Sequence, residues 1–65
     1  MTTNPKKKLI SRMRKLGKEM RNVGTAIDYF SGLDAKMARN GRRLAVTGLV
    51  VQSWADTLDV QKEAA

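Results

Sequence analysis

The 65-residue chain has no cysteine and no histidine, and only one each of proline, tryptophan, tyrosine and phenylalanine. Without cysteine there is no disulfide, and without either residue a structural zinc site lacks its usual ligands, so both common staples of a small scaffold are missing. The same absences remove the commonest nucleophiles, general bases and metal ligands. No glycine-rich loop ends in Lys-Ser or Lys-Thr as a phosphate cradle would. Acids are scarce, six in all, and none sits paired in an apolar, base-free setting that would raise a carboxyl pKa. Asp28 reads as a solvated helix residue and Asp34 as a turn or cap residue. The expectation is a protein that is not an enzyme, with no metal and no cofactor.

Long apolar runs are also missing. The most apolar window, Leu44 to Trp54, is about half the ~20 residues needed to span a bilayer. The residues after Lys6, Lys7 and Lys8 keep adding bases, so no secretory signal is expected. A mitochondrial transit peptide would share this basic, acid-poor amphipathic character, but a heptad that continues well beyond the first turns weighs against that reading. A soluble cytoplasmic protein with no membrane span is expected, and lack of cysteine suits a reducing compartment.

What is abundant is positive charge. Thirteen Lys and Arg against six Asp and Glu give a formal net charge of +7. Residues 1–22 hold eight bases and one acid, residues 23–43 four and two, and residues 44–65 one and three, so the excess sits in the first third. A basic head of this kind suits nucleic acid, an acidic protein or an anionic membrane surface. Its plainer reading is a solubilising helix face.

Asn4 followed by Pro5 is a helix start, because Asn caps free amides and proline at the first helical position has no amide to leave unpaired. From there Leu9, Met13, Leu16, Met20, Val23, Ile27 and Phe30 recur at alternating steps of four and three, a heptad stripe on one helix over Pro5 to Phe30. Lys7, Arg14, Lys18 and Arg21 fall on the opposite side and are the candidate polyanion-binding residues. Three lysines in the first turn oppose the helix dipole, a cost of roughly 0.3–1 kcal/mol each that points to selection for charge.

Ser31, Gly32 and Asp34 form one turn signal and Asn40 with Gly41 a second, so the chain is expected to reverse between residues 31 and 41. From Arg42 to about Val60 a second periodic segment carries Leu44, Val51 and Leu58 at spacings of seven, with Val46, Val50 and Trp54 beside them. The β-branched run LAVTGLVV would also suit a strand, but no second strand pattern exists to pair with it. Residues 1–4 and 61–65 are expected to be disordered or frayed around one domain over residues 5–60.

Each glycine inside a helix costs about 1 kcal/mol relative to alanine, yet Gly17 and Gly24 are seven apart, as are Gly41 and Gly48. In an antiparallel hairpin small residues of this kind face one another and admit close backbone approach. Pairing Gly17 with Ala55, Gly24 with Gly48 and Ser31 with Gly41 makes facing numbers add to 72 and puts the reversal near Lys36. That register brings Asp56, Asp59 and Glu63 toward the flank of Lys8, Arg12 and Lys15, leaving the four-residue basic stripe unpaired.

A monomer this small buries only about 60% of its unfolded surface, so self-association is the expected way to complete the core. The fold expectation is all-α: an antiparallel hairpin of a long amphipathic first helix and an apolar second helix, assembled into a dimer or larger bundle. The heptad residues of the first helix, with Leu44, Val51, Trp54 and Leu58, are the expected self-association surface. Met13, Met20 and Met37 read mainly as core filling, and Trp54 and Tyr29 as either interface anchors or half-buried aromatics. Arg39, Arg42 and Arg43 form a second basic patch. A DNA-reading helix-turn-helix at Asn40–Gly41 is unsupported, since the following helix would offer base edges almost only aliphatic groups. No aromatic platform for single-strand stacking is present either.

The leading functional expectation is a small accessory or regulatory protein binding nucleic acid or a ribonucleoprotein through its basic helix face. The alternatives are a structural subunit of a larger helical assembly and a peripheral membrane-surface helix.

Overall fold

The computed structural model describes residues 4–60, which form two α-helices, α1 (Pro5–Phe30) and α2 (Ala35–Val60), packed antiparallel as a hairpin. The terminal stretches at residues 1–3 and 61–65, Glu63 among them, lie outside the described residues. Asn4 sits in an extended conformation and its side-chain oxygen accepts from the Lys6 amide at 2.9 Å, with Pro5 opening the helix. One orphan donor of the first turn is thereby satisfied and another is absent.

The reversal is tighter and earlier than residue 36. The Asp34 amide donates to the Ser31 carbonyl at 3.0 Å, and Gly32 takes a left-handed φ of 59°, a conformation that costs an L side chain roughly 1–2 kcal/mol. Asp34 then caps α2, its carboxylate accepting from the Met37 amide at 3.0 Å. Consequently α2 starts at Ala35, not at Arg42, and Asn40–Gly41 lies inside the helix. The stretch LAVTGLVV is helical as well.

Glycines do face glycines, but one heptad away from the expected register. A Cβ built on Gly17 would lie 2.6 Å from the Gly48 carbonyl oxygen, and one on Gly41 would lie 2.6 Å from the Gly24 carbonyl oxygen. Facing numbers therefore add to 65, and the same register sets Ile10 opposite Ala55, which are 4% and 0% exposed. The register adding to 72 is incorrect. At these layers the backbone of one helix lies against the backbone of the other, so the close approach depends on the missing glycine side chains.

This packing decides which face of α1 is covered. The buried line is Ile10, Gly17 and Gly24, on the flank of the heptad stripe. Met13, Met20 and Ile27, the stripe's inner row, are half-buried, whereas Leu9, Leu16, Val23 and Phe30, its outer row, stay exposed. On α2 the buried line is Gly41, Gly48, Val51 and Ala55. Leu44 and Leu58 are half-buried and Trp54 is exposed.

Candidate functional site

Among the described residues, the ion pairs and side-chain hydrogen bonds between the two helices lie on one broad side of the hairpin. Arg14 donates to Asp56 and to Asp59, each at 3.0 Å, Arg21 donates to the Gln52 side-chain oxygen at 3.2 Å, and Arg42 pairs with Asp28 at 3.3 Å. The two carboxylates hold the Arg14 guanidinium above its ordinary pKa, chiefly through hydrogen bonds to Asp56 and then Asp59. These groups are solvated, so such pairs orient the helices without contributing much stability. Asp56 and Asp59 also lie near the C-terminal end of α2, where carboxylates oppose the helix dipole. The Arg14 cation offsets that.

The partner of these acids differs from the expected one. Among the described residues, Lys8, Arg12 and Lys15 form no ion pair with Asp56 or Asp59, because the register adding to 65 aims the acids at Arg14. The charge-bearing stripe read from the sequence is thereby divided. Arg14 and Arg21 turn toward α2, while Lys7 and Lys18 remain on the exposed surface without an ion pair among the described residues. Heptad-shifted packing exchanges the roles of neighbouring bases on α1.

Measured around α1 from the buried line at 100° per residue, Lys7, Lys8, Arg12, Lys15 and Lys18 lie roughly 80° to 180° away. All five are exposed, and they occupy about 16 Å of helix at 1.5 Å per residue. Glu19 is the one acid on this edge and makes no ion pair among the described residues. The second basic patch lies on α2 near the turn: Arg39, Arg42 and Arg43 are all exposed, and Arg42 is held by Asp28.

The clefts are shallow. One, of about 380 Å³, is lined by Lys7, Ile10, Ser11, Arg14, Lys15 and Asp59. Another, of about 550 Å³, is lined by Leu9, Arg12, Met13, Lys15 and Leu16, where the basic edge meets the apolar face. Among the described residues no group of three acids, histidines or cysteines is placed to hold a metal ion. No described helix is long and apolar enough to cross a membrane. The chain matches no protein-family model, no curated protein and no solved structure.

Proposed function

We propose that this chain is a small non-enzymatic protein that binds nucleic acid through the outer edge of α1, with Lys7, Lys8, Arg12, Lys15 and Lys18 meeting backbone phosphates. The observation that carries this reading is the division of charge. Asp56 and Asp59 are both engaged by Arg14, so the five cations of the edge keep their charge available to a ligand. Their density suits a polyanion, and contacts of this kind to phosphates position a protein on nucleic acid without carrying sequence information.

Titration of a short nucleic-acid duplex against the protein tests this. With five phosphates neutralised, the logarithm of affinity should fall against the logarithm of salt with a slope of about −4.5. Replacing Lys8, Arg12, Lys15 and Lys18 together with glutamine should abolish binding at unchanged helicity. Arg14→Gln should weaken binding far less, because that guanidinium is already neutralised. Equal losses in the two variants, or no binding by the wild type at low salt, would refute the assignment.

The alternative of a structural subunit draws on a separate observation. Val46, Leu49 and Val50 on the outer side of α2 are 58%, 50% and 38% exposed, an apolar edge that further hairpins would cover. Sedimentation of the protein alone distinguishes the two, since this reading requires a large assembly without nucleic acid.

A further inference from the structure

The broad side opposite the ion pairs is largely apolar on both helices, with Thr47 the polar member of the α2 stripe. On α1 it carries the heptad stripe, whose outer members Leu9, Leu16, Val23 and Phe30 are 51%, 55%, 40% and 80% exposed. On α2, Leu44, Thr47, Val51, Trp54 and Leu58 follow one another at steps of three, four, three and four, the same 3.5-residue repeat. Around each axis these residues lie on the side of the buried line away from Arg14, Arg21, Gln52, Asp56 and Asp59. Antiparallel packing of two right-handed helices then puts both stripes on one face.

We propose that this face binds a second copy of the chain, two hairpins stacking face to face into a four-helix bundle. A repeat of 3.5 on both helices calls for partner helices nearly parallel to them, since that period keeps a stripe in register only along another helix. A lipid surface imposes no such period. The face is also two helices wide, so its complement is a pair of helices of equal length, which a copy of the chain supplies through the same residues. Its extent matches a stable association: 26 residues of helix, about 39 Å long, times two diameters of ~10 Å, is on the order of 800 Å² per partner, the standard size of a specific interface. The proposal does not rest on nucleic-acid binding, although Arg12 and Lys15 border the face beside Leu9 and Leu16.

Sedimentation equilibrium on the wild type and two matched variants tests it, with Trp54 as an internal reporter. Leu16 and Leu49 are 55% and 50% exposed, but only Leu16 lies on the proposed interface. The wild type should sediment as two copies of the 7.2 kDa chain, and its single tryptophan, 58% exposed in the hairpin, should become shielded from a soluble quencher as dimers form. Leu49→Lys should leave the mass doubled, whereas Leu16→Lys should lose the dimer by folding as a monomer or by unfolding. A wild-type monomer at all concentrations overturns the proposal, as does a discrete assembly of three or more copies. So does a monomer whose tryptophan is shielded only on adding anionic phospholipid vesicles, which would assign the face to lipid. Equal behaviour of the two lysine variants overturns it also.

Discussion

Gly24→Ala should destabilise the protein although alanine is the better helix former. In an exposed helix interior the exchange stabilises by about 1 kcal/mol. Here the added Cβ would meet the Gly41 carbonyl oxygen, the Ala45 nitrogen at 2.5 Å and the Ala45 Cα at 3.0 Å, all of them backbone atoms. Backbone cannot rotate aside as a side-chain end can, so contact near 3.5–4.0 Å is restored only if the helices separate by roughly an ångström at this layer. Such overpacking costs about 1–3 kcal/mol, and a clash with backbone belongs in the upper part of that range. The net loss is then about 1–2 kcal/mol, or a fall in Tm of roughly 5–15 °C for a chain this size. Thermal melts followed by circular dichroism, at one protein concentration because association shifts Tm, provide the measurement. Asn22→Ala at an exposed α1 position supplies the propensity effect without the contact. If Gly24→Ala raises Tm as much as that control, the close approach of the helices is wrong. Gly41→Ala combined with Gly24→Ala should cost less than the two single changes together, since one separation accommodates both Cβ atoms. That coupling should exceed the coupling between Gly24 and Gly48, which the register adding to 72 would have paired.

Two further outcomes follow from the turn and the ion pairs. Asp34→Ala removes the acceptor for the Met37 amide and should lower stability by about 0.5–2 kcal/mol in a denaturant melt, while Asp34→Asn should retain most of it. Because the folded-state pKa of Arg14 is raised, the stability linked to its protonation is fully present at neutral pH and is lost only in strong alkali. The stability difference between the wild type and Arg14→Gln should therefore stay constant across the neutral range, and a steep change there would mean that another group titrates with the pair.

Much of the hairpin was legible in the residues themselves. Asn4 and Pro5 mark the start of α1, the heptad spacing identifies one helix to Phe30, and the paired glycines announce a backbone-to-backbone contact between antiparallel helices. These are local or periodic properties, and each has a physical reason that acts on the chain before it packs. The offset between the helices was not legible, because small residues repeated every seven positions match equally well when one helix slides by a heptad. The turn chose between the two matches. With Gly32 in the left-handed region and Asp34 capping α2, the chain reverses in four residues, and Gly41 becomes a packing position inside a helix. From that offset alone it follows that Arg14 is the base neutralised by Asp56 and Asp59, that Lys8, Arg12 and Lys15 remain on the outer edge, and that the heptad stripe is left open beside the buried line. Periodicity determines which residues share a face; only closure of the turn determines what each face meets.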